Sequence, residues 1–224
     1  MTLTVIIVSL AIIILIIVPQ IAKRITYKKL TTHLGKREYE QFETLLDGFI
    51  CTFSFRPYNR EFMRLNAYFM QADTKKIEAQ LDTMFTRLKM KEEQKAAVAK
   101  QGFYFYLENK NYTKAEKMLK ICRKDAKNEN EVHVMDMMYD ILALQKSDHI
   151  QEIKSRLDSI KKQPNLANNQ AERVRLGIFE YLLGLQYAYQ NNKKTSKNYL
   201  ESALKNCIHT PYEPQILALL KQKG

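Results

Sequence analysis

The clearest fold pattern in this chain lies in residues 182–207, LLGLQYAYQNNKKTSKNYLESALKNC. Two stretches with helical spacing of apolar residues flank a polar turn at residues 191–193. Gly184 and Ser196 are small where two antiparallel helices approach each other, and Leu200 fills the space beside them. The stretch therefore predicts a tightly packed helical hairpin.

Helical pairs of this kind recur along most of the chain. Apolar residues return every three or four positions, and Leu, Ala, Lys, Glu and Gln dominate. The predicted pairs are 60–71 with 74–89, 92–108 with 112–127, 131–146 with 149–162, and 170–190 with 194–207, followed by a single helix at 213–223. Asp, Asn, Ser or Thr in the turns at 72–74, 109–111, 147–148 and 191–193 is expected to cap the second helix of each pair. Second helices begin at intervals of about 38, 37 and 45 residues, a period typical of an α-solenoid.

The pattern resembles the tetratricopeptide repeat. In residues 182–207 the resemblance lies in Leu183, Gly184, Tyr187, the polar turn, Ser196, Leu200 and Ala203. Residues 102–122, GFYFYLENKNYTKAEKMLKIC, match through Gly102, Tyr106, Tyr112, Ala115, Leu119 and Cys122. The pairs at 60–89 and 131–162 keep the hairpin but lose the small and aromatic signature positions.

This resemblance implies a groove lined by the first helix of each pair. Its register puts four residues in that groove: Lys100, Tyr104, Tyr181 and Tyr189. Tyrosine and lysine there suit a peptide of acidic or polar character. The alternative for the three tyrosines is packing between neighbouring hairpins, which is the role expected of Tyr106 and Tyr187.

The amino-terminal segment, residues 1–22, carries no charged side chain. As a helix it would be about 33 Å long, enough to cross a hydrocarbon core of about 30 Å. No Lys or Arg precedes the apolar run, so a cleaved signal peptide is disfavoured. We therefore expect a transmembrane helix at residues 1–22, and Pro19 near its end is expected to terminate it at the interface.

Basic residues directly after this segment predict its orientation. Lys23, Arg24, Lys28 and Lys29 are expected to rest on the cytosolic membrane surface, since short basic flanks stay on that side. The predicted protein is a single-pass protein of the cell membrane, with its amino terminus outside and its carboxy-terminal domain cytoplasmic. Three widely spaced cysteines at positions 51, 122 and 207 fit buried free thiols in a reducing compartment.

The sequence thus predicts an all-α chain in three parts. Residues 1–22 form the transmembrane helix, residues 23–58 a basic juxtamembrane segment with a capping helix, and residues 59–224 a tetratricopeptide-like α-solenoid. The capping helix, within REYEQFETLLDGFI at residues 37–50, is expected to end at Gly48 or at Arg56-Pro57.

Catalytic patterns are missing from the sequence. The histidines and cysteines lack metal-ligand spacing, the glycines are isolated, and no nucleophile elbow occurs, so we predict no catalysis, no cofactor and no metal. The predicted function is a membrane-tethered scaffold that binds a protein partner, such as a membrane complex, on the cytosolic face. An enzyme is the least favoured class, because no acid–base pair is placed by spacing.

Nucleic-acid binding near the membrane is the alternative function. The net charge of +12 and the isoelectric point near 9.5 would permit it. Basic and acidic residues are mixed on the same predicted helices, as at Lys91-Glu92-Glu93, and this disfavours a contiguous basic stripe.

Overall fold

The computed structural model describes the backbone of residues 2–124 and 129–221, and the side chains of residues 17–124 and 129–221. All regular structure in these ranges is helical, which confirms the all-α prediction for the described residues. The α-helices are α1 Thr2–Gly35, α2 Tyr39–Asp47, α3 Phe49–Ser54, α4 Pro57–Gln71, α5 Thr74–Arg87, α6 Glu92–Glu108, α7 Tyr112–Lys124, α8 Glu129–Leu142, α9 Ile150–Lys161, α10 Gln170–Tyr189, α11 Lys193–Asn206 and α12 Glu213–Lys221. Paired helices of this kind are compatible with a helical-repeat architecture.

Helix α1 continues through Pro19, so the predicted termination at this proline is wrong. The helix joins the uncharged amino-terminal segment and the basic segment in one element that ends at Gly35. A search of the described residues finds no helix with the length and apolar character needed to cross a membrane. The side chains of residues 1–16, which make up most of the predicted span, lie outside that description.

Two short helices replace the single predicted capping helix. Gly48 ends α2, where its N–H donates to the Leu45 carbonyl, and an extended backbone at this residue starts α3. Helix α4 then begins with Pro57, a first-turn position where a missing N–H costs no helical hydrogen bond. The chain therefore breaks at both of the predicted stops.

Three hairpins have turns of the same geometry. Ala72, Lys110 and Asn191 adopt left-handed backbone angles, with φ of 52°, 59° and 59°. The following Asp or Asn then caps the second helix: the side chains of Asp73, Asn111 and Asn192 accept from backbone N–H groups three residues later at 3.0, 3.3 and 3.2 Å. The caps predicted in these turns are confirmed.

The turn between α8 and α9 is built differently. His149 makes no side-chain cap bond, and the expected cap from Ser147-Asp148 is wrong. Asp140 organises the turn instead, because its carboxylate accepts from Lys146 Nζ at 2.9 Å and lies 3.1 Å from His149 Nε2. Burial opposes ionisation of Asp140, but the bonds to Lys146 and His149 prevail and lower its pKa.

The chain divides into two compact units, residues 1–98 and 99–224. Unit 1 contains the hairpin α4–α5 with the three helices before it, and unit 2 contains the helices from α7 onward. The domain bounds predicted at residues 22 and 58 stay predictions.

Unit 1 is held by a small apolar core and by one arginine. Leu30 of α1, Phe42 and Leu46 of α2, and Phe55 pack together in the core. On another surface Arg64 of α4 binds three carboxylates: Glu43 at 2.9 Å, Glu61 at 2.7 Å, and Asp47. Burial alone would lower the pKa of Arg64, but the hydrogen bonds and charges of Glu43 and Glu61 raise it. Its guanidinium thus joins α2 to α4 as a charged group.

Unit 2 is built around α10, which packs closely on α11. A Cβ atom at Gly184 would lie 2.7 Å from Leu200 and 3.3 Å from the Ser196 carbonyl, and one at Gly177 would lie 2.6 Å from Cys207 Sγ. The buried Ser196 hydroxyl donates to the Gly184 carbonyl at 2.7 Å. The close approach predicted at Gly184 and Ser196 is confirmed, and it needs residues without bulky side chains.

Candidate functional site

A cavity of about 330 Å³ lies in unit 2 between the first helices of its hairpins and the carboxy-terminal helix. We call it the tyrosine cavity, because Tyr112, Tyr181, Tyr189 and Tyr212 line it. The other lining residues come from α6, α8, α10, α12 and the turns between helices: Leu107, Glu108, Lys110, Leu142, Gln145, Leu185, Gln215, Ala218 and Leu219. Its volume lies at the lower end of the range of small-ligand sites, about 300–1,000 Å³.

Helix α10 presents two of the predicted groove residues to this cavity. Tyr181 and Tyr189 are eight residues apart, so they lie on one face of the helix. The Tyr181 hydroxyl donates to Gln215 Oε1 at 3.2 Å, and the Tyr189 hydroxyl donates to the Ile141 carbonyl at 3.0 Å. These bonds orient both phenols and leave oxygen lone pairs to accept from a ligand.

Helix α12 closes one side of the cavity. Tyr212, buried just before α12, packs against Tyr181 with ring centroids 5.7 Å apart. Burial raises the pKa of Glu108, and a hydrogen bond from the Tyr212 hydroxyl opposes this rise. Gln215 adds the contact with Tyr181. The cavity wall is therefore formed partly by the chain's own carboxy-terminal segment.

The chemistry of the cavity suits hydrogen bonding to a ligand. Burial raises the pKa of Tyr189 to about 12 and raises that of Tyr181 further, so both phenols stay neutral at physiological pH. Tyrosine oxygens and the Glu108 carboxyl supply acceptors, and Lys110 supplies a donor at an exposed position. Such a surface fits a polar side chain that donates hydrogen bonds. The Glu108 carboxyl makes an acidic ligand less suitable.

Lys100 and Tyr104 lie on α6 but are absent from the lining of this cavity. Lys100 Nζ forms an ion pair with Glu131 of α8 at 2.9 Å. Tyr104 is half-buried, and burial, followed by the nearby Glu131 charge, raises its pKa to about 12. The structure thus brings Tyr181 and Tyr189 into one cavity, whereas Lys100 pairs with Glu131 and Tyr104 lies near that ion pair.

Tyr106 and Tyr187, the two tyrosines expected to pack between hairpins, both contact neighbouring side chains. Tyr106 is buried, and Lys114 Nζ lies 5.3 Å from its ring centroid. Tyr187 stacks on Tyr199 of α11, with centroids 5.6 Å apart, and Lys154 lies over the same ring.

Sequence reasoning missed the cavity residues that lie outside the first helices. Tyr112 and Tyr212 are the clearest cases, with Gln215 and Ala218 on α12. One signal was available: Pro211 and Pro214 flank Tyr212 and mark a sharp change of chain direction before a short amphipathic helix.

Three further predictions concern the basic residues of α1, the cysteines and metal binding. Lys23, Arg24, Lys28 and Lys29 are all exposed on α1. Cys51, Cys122 and Cys207 are buried and form no disulfide bond, and burial raises the pKa of Cys207 to about 11. In the part of the chain that the structure describes, no group of three or more His, Cys, Asp or Glu is arranged to hold a metal ion.

Comparison of the chain with known protein families, curated proteins and solved structures finds no match.

Proposed function

We propose that this protein is a membrane-tethered helical scaffold that binds a protein partner through the tyrosine cavity on the cytosolic face. The cavity is the observation that carries the proposal. The first helices α6, α8 and α10 contribute to its lining together with α12, and its oriented phenols support recognition of a ligand. The partner would insert a polar, hydrogen-bond-donating side chain.

Support for the tether comes from the sequence of α1. Residues 1–22 are uncharged, and Lys23, Arg24, Lys28 and Lys29 follow within the same helix. An uncharged segment of this length is sufficient to span a bilayer, and the basic flank would stay cytosolic. A tetratricopeptide-like stack is supported by the shared turn of three hairpins and by the close contact at Gly184.

Chemical crosslinking in cells tests partner binding. The tagged full-length chain would be crosslinked, extracted in detergent and recovered, and its partners would be quantified by mass spectrometry. Ala218→Trp fills the cavity from an exposed position on α12, whereas Leu217→Trp adds the same side chain next to it but outside the cavity lining.

We expect Ala218→Trp to reduce recovery of a specific partner about tenfold, the size of a typical hot-spot loss, and Leu217→Trp to leave it unchanged. Thermal unfolding of both variants would show that they fold. If no captured protein depends on position 218, the cavity is not a partner site.

Alkaline carbonate extraction and a reporter fused after Gly224 test the tether. We expect the chain to stay in the membrane fraction and a cytosol-dependent reporter to be active. Release by carbonate would contradict the span, and activity of a reporter restricted to the outside would reverse the orientation.

A further inference from the structure

A second cavity, of about 680 Å³, lies within unit 1. Helix α1 forms one wall with four residues on one face, and helix α4 with the residue after α3 forms the other. The lining residues are Gln20, Lys23, Arg24 and Tyr27 on α1, facing Phe55, Asn59, Phe62 and Met63. We call it the basic-rimmed cavity, because aromatic and methionine side chains line it and two cations stand at one edge.

The position of this cavity along α1 is informative. Its α1 wall starts at Gln20, inside the uncharged segment, and continues to Tyr27, beyond the first two basic residues. If residues 1–22 span a bilayer, as proposed above, the cavity lies at the boundary between acyl chains and headgroups. An apolar interior with a basic edge complements an anionic lipid at this depth.

Unit 1 exposes further apolar side chains outside this cavity. Phe49 and Phe53 of α3 expose 82% and 76% of their surface, and their rings stack with centroids 6.2 Å apart. Ile17, Ile21 and Ile25 are each about half exposed and form a stripe along α1. Large exposed apolar side chains grouped in this way mark a surface that contacts lipid or protein.

The positive charge of the cavity favours an anionic lipid over a protein as its occupant. Lys23 Nζ lies 5.4 Å from the centroid of the Phe55 ring, so the cation is held over the apolar floor of the cavity. Arg24 lines the same edge and supplies a planar fork that binds phosphate in two hydrogen bonds. A partner protein would need an apolar and acidic segment at membrane depth, whereas an anionic phospholipid has both properties and is already there.

We propose that the basic-rimmed cavity binds an anionic phospholipid. An acyl chain packs against Phe55, Phe62 and Met63, and the phosphate bonds to Lys23 and Arg24. This inference rests on the proposed tether for its setting, and it adds a defined lipid site to that tether.

Photo-crosslinking tests the site without requiring a bilayer. The purified full-length chain in neutral detergent micelles would be mixed with a photoactivatable phosphatidylglycerol, or with phosphatidylcholine carrying the same acyl chains, and labelled peptides would be mapped. We expect phosphatidylglycerol to label residues 55–63 and phosphatidylcholine to label them several-fold less.

Two variants and one control sharpen the test. Reversing both charges with Lys23→Glu and Arg24→Glu should reduce this labelling about tenfold or more, given about 1 kcal/mol for each basic residue near an anionic lipid. Asn59→Trp fills the cavity without changing charge and should reduce it similarly. Lys28→Glu with Lys29→Glu makes the same charge change on exposed positions outside the cavity and should change labelling less than twofold.

Equal loss in the control would show diffuse attraction instead of a site, and unchanged labelling in both test variants would overturn the proposal. Failure of the tether is a separate result, because it is read by carbonate extraction. Capture of a partner protein through the cavity residues in the cellular crosslinking described above, with no lipid label in micelles, would also overturn the lipid site.

Discussion

The two units hold their helices together by different means. In unit 2, α10 and α11 touch through glycines, and the contact at Gly184 leaves no room for a side chain. In unit 1, Arg64 of α4 binds the carboxylates of Glu43 and Asp47 on α2, together with Glu61 of its own helix. The first contact depends on the size of the side chains and the second on their charge, so each unit should be sensitive to a different kind of substitution.

The cavities of the two units also differ in the chemistry of their lining. The tyrosine cavity is built from phenols that already bond to Gln215 and to the Ile141 carbonyl, so its shape is fixed by hydrogen bonds. The basic-rimmed cavity combines three aromatic side chains and a methionine with the cations of Lys23 and Arg24. The first cavity suits directional recognition of a protein side chain, and the second suits a lipid chain.

Among these substitutions, Gly184→Leu should cause the largest loss of stability. The added side chain would collide with Leu200 and with the Ser196 carbonyl, so we expect a loss of about 3 kcal/mol in the free energy of unfolding. Hydrogen exchange of the α10–α11 peptides in the full-length chain would measure it.

Gly35→Leu is the control, because no atom lies within 4 Å of a Cβ built there. A fall in protection of α10 and α11 no larger than that caused by Gly35→Leu would show that the close contact contributes little.

Arg64→Met should destabilise unit 1 by about 2 kcal/mol. The loss of the cation leaves Glu43, Glu61 and Asp47 near one another without their shared partner, although partial exposure reduces the penalty. Denaturant unfolding and hydrogen exchange of α2 and α4 would measure the change.

Lys76→Met removes a more exposed cation whose Nζ lies 3.8 Å from Asp73. We expect this control to cost less than about 0.5 kcal/mol. Equal effects at the two positions would mean that the Arg64 cluster behaves as an ordinary surface ion pair.

Tyr189→Phe should cost about 1 kcal/mol, because the Ile141 carbonyl loses its hydrogen bond from the phenol. Tyr27→Phe removes a phenol hydroxyl from an exposed residue of the basic-rimmed cavity and should be close to neutral. Chemical denaturation of both variants tests whether hydroxyl bonding distinguishes the two cavities.

The smallest effect should be the pH dependence contributed by Glu108. Burial raises its pKa in the folded chain, so the folded state binds more protons than the unfolded state between the ordinary and the raised pKa. Stability should therefore fall as pH rises through this window. Glu108→Gln keeps an acceptor for Tyr212 and removes the charge, and it should unfold at a higher temperature than the parent above the window.

Below the ordinary glutamate pKa, the parent and the variant should unfold at similar temperatures. Thermal unfolding across this range measures the difference, and parallel curves for the two proteins would show that Glu108 does not titrate in the cavity.

The helices and their turns could be predicted because the signals are local. Asp73, Asn111 and Asn192 each bond to the backbone three residues later, so a short stretch of sequence contains the whole interaction. The contact at Gly184 could also be predicted, since its partners lie in the same hairpin. The prediction at Pro19 was wrong because a proline inside a helix removes one backbone hydrogen bond without always ending the helix.

The candidate sites depended on contacts between residues far apart in sequence. Tyr181 and Tyr189 face a cavity because α12 packs nearby, and the pattern of α10 alone did not separate groove from core. Phe55 and Phe62 line the basic-rimmed cavity opposite Lys23 and Arg24, which lie about thirty or more residues earlier in the sequence. Periodicity shows which face of a helix is apolar, but the neighbour that meets this face is set by packing of the whole unit.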